Sequence, residues 1–241
     1  MKNGSLLSAV YRKSCRMMER EKKLPVSAFR YEFGFGFSNL YHPYVEALKL
    51  SNIDLAIDLL TDFYLRFSDL LCAMPVSERL NVQAWKLEDD KVKEGLRNYQ
   101  GWGQYHMNDL CLKKNDLDKA IRKKAKHLYD IKNSILKNGF KPGSGEFDQG
   151  IRGPKLEEHF MLILGGQHRA AVLAALGWSE LPATFCNFSA NIPAKLNIVN
   201  SDKLPLVRRQ VMPEAVAVRV LSRIKEGFTT ERATNLGFPF A

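Results

Sequence analysis

At 241 residues and 45% hydrophobic composition, the chain is long enough to bury one full core with an accessory region beside it. A net charge of +10 and a pI near 9.4 favour an anionic partner, without choosing between nucleotide, nucleic acid and acidic surface. The four cysteines, at 15, 72, 111 and 186, contain no C-x-x-C pair, and the five histidines are scattered. That pattern argues against a disulfide framework, predicts no structural metal, and places the protein in a reducing, cytoplasmic setting.

The first 24 residues read as a charged amphipathic helix or arm, with an apolar patch too short for a signal peptide. Residues 25–44, PVSAFRYEFGFGFSNLYHPY, are dense in aromatics around Gly34 and Gly36. Aromatic faces hold bases and sugars, but packing around a hairpin or loop is the ordinary use of such residues. Gly34 and Gly36 lack the third glycine of a dinucleotide fingerprint. From Ser51 the pattern is helical, with Ile53, Ile57, Leu60 and Tyr64 recurring, Ser51 or Asn52 as cap and Pro75 as the stop. Residues 77–100 form a second, more polar helical stretch, and Gly101-Trp102-Gly103 marks a break.

Residues 116–138 predict a long helix with one apolar stripe: Leu117, Ile121, Ala125, Leu128, Ile131 and Ile135. Asn115 or Asp116 caps it and Gly139 ends it. Its opposite face is basic; between 111 and 141 there are ten Lys or Arg against three Asp. Arg122, Lys123, Lys124 and Lys126 stand at the centre of this run. They fit either a solvated face or a surface for phosphate groups. Residues 141–158 then read as a Gly/Pro/Ser-rich loop. Glu146 and Asp148 are its candidates for a catalytic base or for Mg²⁺ coordination, Arg152 and Lys155 for phosphate contact.

The segment from His159 to Cys186 reads as strand (159–164), glycine turn (Gly165, Gly166), helix (167–176), cap (Gly177) and second strand (181–186). The two strands are expected in one sheet. Glycines before a helix leave its first N–H groups pointing outward at the positive end of the dipole, a site for an anion. His168 and Arg169 stand on that first turn, and arginine offers a planar fork to phosphate oxygens. The same residues also fit an ordinary turn with a capped helix. A membrane span over Phe160–Trp178 is excluded by the Gly-Gly-Gln-His-Arg at its centre.

The string Gly165-Gly166-Gln167-His168-Arg169, with Ala171, Ala174, Leu176, Gly177 and Leu181-Pro182 after it, resembles the phosphate-binding box of the ParB/sulfiredoxin-like superfamily. Upstream, Ser134-Ile135-Leu136-Lys137-Asn138-Gly139-Phe140 resembles the helix end that precedes that box. The likeness covers about residues 117–188, roughly a third of the chain. It implies a small mixed-sheet α/β core, with Gly165, Gly166, Gln167, His168 and Arg169 on a nucleotide's phosphates. It further implies a nucleoside triphosphate with Mg²⁺ and a phosphotransferase or nucleotide hydrolase. His168, Glu146 and Asp148 are then the candidate catalytic residues.

The departures are specific. Gln167 stands where sulfiredoxins carry cysteine, and an amide cannot act as a thiolate, so sulfinic acid reduction is excluded. Gly165 stands where kinases of the superfamily carry an acid, so any base must come from elsewhere. Partition proteins carry glutamate at the position of Gln167.

The expected organisation is a mainly helical extension over 1–110, a nucleotide-binding core over 111–190 and a helical tail over 191–241. Within the tail, Ala215, Val218, Leu221 and Ile224 share a helical face after Pro213. The ending, GFTTERATNLGFPFA, is similar to the first helix of a helix-turn-helix and stops before a recognition helix. A DNA-binding or nucleotide-switched regulator is the alternative to the enzyme.

Overall fold

The computed structural model describes residues 22–31, 34–73, 114–141, 150–185, 195–208, 210 and 213–238. The helical stretch expected over 77–100, the Gly-Trp-Gly break, Pro75, Glu146, Asp148 and Cys186 lie outside them.

The architecture is mixed α/β, with two small mixed sheets. In the first, the order is β1 (Lys22–Pro25), β6 (Glu180–Phe185), β3 (Ile151–Gly153); β1 runs antiparallel and β3 parallel to β6. In the second, the order is β2 (Phe29–Arg30), β5 (Phe160–Leu162), β4 (Lys155–Leu156), β7 (Lys195–Leu196). Residues 22–24, expected in a helical arm, are therefore strand, with Leu24 opposite Leu181. The loop expected over 141–158 supplies β3 and β4.

The expectation that 159–164 and 181–186 share a sheet is not met. A strand has two edges; those of β5 are taken by β2 and β4, and those of β6 by β1 and β3. Pro154 separates β3 from β4 and sends one to each sheet. The link between the sheets is close all the same. Arg152 and Gly165 form an antiparallel bridge, the Arg152 N–H donating to the Gly165 carbonyl at 3.1 Å and the Gly165 N–H to the Arg152 carbonyl at 3.0 Å.

Four helices pack on one another over a core shared with strand residues of both sheets: α1 (Pro43–Lys49), α2 (Ile53–Ala73), α3 (Lys114–Asn138) and α4 (Gln167–Ala175). His42 caps α1, its Nδ1 accepting from the Tyr44 N–H at 3.2 Å, and Pro43 supplies the preset first turn. Asn52 caps α2 through the Asp54 N–H at 2.7 Å. The buried face of α2 is Ala56, Ile57, Leu59, Leu60 and Phe63, whereas Ile53 is exposed. On α3 the expected stripe holds from Ile121 onward, with Ile121, Ala125 and Leu128 buried and Ile131 and Ile135 partly so; the side chain of Leu117 lies outside the described ones. Gly139, at φ 72°, ends the helix. Tyr129 and Lys132 of α3 tie down the end of α1, Tyr129 Oη donating to the Leu50 carbonyl at 2.8 Å and Lys132 Nζ to the Leu48 carbonyl at 2.9 Å.

The aromatics of residues 25–44 are core. Phe29, Tyr31, Phe35, Phe37, Tyr41 and Tyr44 are all at most 2% exposed. The final helix, α7 (Thr230–Asn235), joins them: Phe228 and Phe238 pack on Phe35, Tyr41 and Phe63, and Ala233 is fully buried. Ala233, the one apolar side chain of the helix, thus faces this core. A second, smaller core lies under α5 (Pro205–Arg208) and α6 (Glu214–Glu226). The buried face of α6 is Ala217, Val220, Leu221 and Ile224; of the expected face Leu221 and Ile224 are buried, Val218 is half-buried and Ala215 is exposed. The buried Arg30 joins the two regions. Its guanidinium donates to the carbonyls of Ser27, Phe29 and, at the end of α6, Lys225. Among the described residues no helix is long and apolar enough to cross a membrane.

Candidate functional site

The geometry at 165–169 begins with a backbone requirement. Gly166 is the N-cap of α4 at φ 77°, in the left-handed region, and no side chain caps the helix. A Cβ there would also meet the Gly150 carbonyl oxygen and the Ile151 Cα, both at 2.9 Å. Gly166→Ala is expected to cost about 2 kcal/mol, from the left-handed conformation and the displaced β3 together, read as a drop in urea midpoint at unchanged slope. A loss within a few tenths of a kcal/mol would show that the turn is not held as described.

The helix entry is fixed from below by Tyr31, whose buried hydroxyl donates to the Gln167 carbonyl at 2.7 Å. Burial raises the Tyr31 pKa, so the hydroxyl stays a donor. The far end of α4 closes as expected: Gly177 is left-handed at φ 81°, and the Trp178 N–H donates to the Leu173 carbonyl at 3.1 Å.

His168 does not point into open solvent. Its ring stacks on Tyr44 at a centroid separation of 5.3 Å and 19°, and meets His127 of α3 edge-on at 5.3 Å. The residue as a whole keeps some accessible surface, but its Nε2 is buried and has no hydrogen-bond partner among the described residues. Burial first, then the neighbouring Lys124, His127 and Arg169, push its pKa down to about 3. An imidazole that weak is a poor base at neutral pH; it offers a neutral ring with one N–H to give. His42 lies behind Tyr44, is fully buried, and is likewise lowered to about 3 by burial and then by His168.

Lys124 departs furthest from expectation. Rather than lying on the solvated basic face with its neighbours, it is 8% exposed, with Nζ 5.3 Å from the centroid of the Tyr44 ring. Burial brings its pKa down to about 7. The sequence carried the signal: Lys124 stands three residues after Ile121 and four before Leu128, inside the apolar stripe. Arg122, Lys123 and Lys126 do lie on the exposed face, and Arg122 reaches Asp54 at 3.8 Å.

Arg169 is part-buried rather than sealed inside. Arg152 is brought beside the turn by its backbone bonds to Gly165. Lys155 is engaged with Glu158 at 3.1 Å, on the side of the second sheet. The site therefore gathers Gly166, Gln167, His168 and Arg169 from α4, Lys124 and His127 from α3, and Tyr44 from α1. His42, Tyr44, Lys124 and His127 were not anticipated as one group, because only the packing of α1 and α3 on α4 unites them.

The charges acting on His168 are Lys124, His127 and Arg169, all basic. Among the described residues, no three of His, Cys, Asp and Glu come together as ligands for a metal ion. The basic side chains at the turn, Lys124, His127 and Arg169, suit an anion. Nothing matches this chain in comparisons with protein-family models, curated proteins and solved structures.

Proposed function

We propose that the chain binds the phosphate of a nucleotide at the N-terminus of α4. The observation that carries this reading is a helix entered through a left-handed glycine, with no side-chain cap and with His168, Arg169, Lys124 and His127 gathered around it. The helix dipole favours an anion there, and the basic side chains add countercharge. The local geometry supports the anion; the nucleotide comes from the superfamily likeness, whose expectation that 159–164 and 181–186 lie in one sheet is not met. Use of the nucleotide for phosphoryl transfer or hydrolysis extends the proposal. Glu146 or Asp148 would then supply the base.

A thermal-shift panel of ATP, ADP, CTP and GTP, each with and without Mg²⁺, tests it. At a concentration near 100 times Kd, binding adds about 2.7 kcal/mol, a rise of roughly 5–10 °C for a chain of this size. Arg169→Ala is expected to remove most of the rise. No shift with any of the four, or an unchanged response in Arg169→Ala, would overturn the reading.

A second reading has one observation in its favour: Lys119, Arg122, Lys123 and Lys126 form an exposed basic face along α3. If that face tracks nucleic acid, affinity falls steeply with salt. Absence of binding at low salt removes it.

A further inference from the structure

The basic face of α3 ends beside an exposed tryptophan. Lys119, Arg122, Lys126, Asn133 and Lys137 follow one another at helical spacing as a single exposed stripe, with Lys123 on its flank. From Lys119 to Lys137 the stripe runs about 27 Å at the helical rise. Asp130 is the one acid between 119 and 141, and Arg122 meets Asp54 at 3.8 Å with both side chains largely exposed. Beyond Lys137 the helix closes at Gly139, and the Phe140 ring lies edge-on to Trp178 at 6.1 Å. Trp178 is 40% exposed, and Leu136, four residues before Phe140, is 63% exposed. The tryptophan is fixed at its backbone: its N–H donates to the Leu173 carbonyl at 3.1 Å, and the next carbonyl, of Ser179, accepts from the Val26 N–H at 2.8 Å. A Cβ added at Gly139 or at Gly177 would meet nothing within 4 Å, so the backbone beside each ring is open to an approaching group.

We propose that α3 and Trp178 together bind single-stranded nucleic acid, with the basic stripe along the sugar-phosphate backbone and the indole as a platform for a base. This rests on the second reading above, that the α3 face tracks nucleic acid, and names the form of the strand. Lysines and an arginine neutralise the phosphates of a duplex and of a single strand alike. The duplex, however, keeps its bases stacked on one another and leaves Trp178 and Leu136 in water. A single strand offers the flat face of a base to an aromatic ring, and every base has such a face, so binding tolerates sequence. A bilayer surface fits less well. Leu136 is the one exposed large apolar side chain among the described residues of α3, so the rest of the stripe has nothing to insert between lipids.

Fluorescence anisotropy of the full chain with labelled oligonucleotides of about 12 nucleotides, single-stranded and duplex, tests this at about 50 mM salt. The single strand is expected to bind roughly tenfold more tightly than a duplex of the same sequence. Trp178→Ala weakens the single strand about tenfold, leaves the duplex and the salt dependence unchanged, and so brings the two forms level. Trp178→Phe keeps a ring and most of the affinity. Of the three tryptophans, Trp178 is the one that a stacked base quenches, so the quenching seen in the wild type is lost in Trp178→Phe. Lys126→Gln lowers the slope of log affinity against log salt by about 0.7. Equal affinity for the two forms, or a Trp178→Ala chain that binds the single strand as the wild type does, overturns the platform and leaves the basic face standing. Binding of neither form overturns the inference together with the second reading, and cosedimentation with phosphatidylserine vesicles in that case assigns the face to a membrane surface.

Discussion

Lowering the pH from about 7.5 to 5 is expected to strip roughly 4 kcal/mol from the folded state. His42 and His168 both have folded pKa values near 3, against 6.5 for an ordinary imidazole. Below 6.5 the unfolded chain binds protons that the folded chain refuses, so stability is full above that value and is lost as the pH falls. Each histidine contributes about 1.4 kcal/mol per pH unit once well below 6.5. Chains of this kind have about 5–15 kcal/mol in all, so two such groups can bring the midpoint of acid unfolding well above the usual carboxylate range. His168→Phe keeps the stacked ring on Tyr44 and should halve the slope between pH 6 and 5, measured by urea unfolding at each pH. An unchanged slope in that variant would show that His168 is free to protonate in the folded protein.

Lys124→Met should make the protein more stable, by about 3 kcal/mol at pH 7 and below. In the folded chain Lys124 has a pKa of about 7, against 10.5 when exposed. Between those values the unfolded state holds a proton that the folded state does not, so native stability rises as the pH climbs from 7 towards 10.5. The burden is therefore complete below pH 7 and gone near 10.5. Methionine has a similar length, no charge, and a shape suited to the space over Tyr44. The gain, a rise of about 5–10 °C in melting temperature, should shrink steadily in scans run from pH 7 to 10. A variant less stable than the wild type at pH 7 would mean that Lys124 holds the helices together as a charged group. The expected result places Lys124 among residues kept at a cost to the fold, which is where binding groups are found.

Several elements of this chain were legible because their causes are local. The α3 stripe at 121, 125, 128, 131 and 135 follows from helical period, and its end at Gly139 from the left-handed cap. The strand, glycine turn, helix and αL stop of 160–177 follow from glycine placement around an Ala-rich run. The aromatic segment 29–44 is core because rings of that size leave water. Gly166 was also readable, since a turn entering a helix at positive φ asks for the residue without a side chain.

What the tertiary structure alone decided is which pieces meet. Nothing in the 160–185 segment says that β5 and β6 will have both edges filled by strands from residues 22–30, 151–156 and 195–196. That pairing splits them between two sheets. Pro154 divides β3 from β4, and only the two sheets' positions give that division its meaning. The face of α6 is 217, 220, 221 and 224 because its partners are Leu156, Leu162 and Leu196, which come from elsewhere in the chain. The site is the clearest case. Its glycine turn and Arg169 are contiguous in sequence, but Lys124, His127 and Tyr44 arrive on two other helices. A local pattern fixes dihedral angles and faces; the burial that holds an imidazole near 3 and a lysine near 7 is a property of the neighbours, and these come from distant positions in the chain.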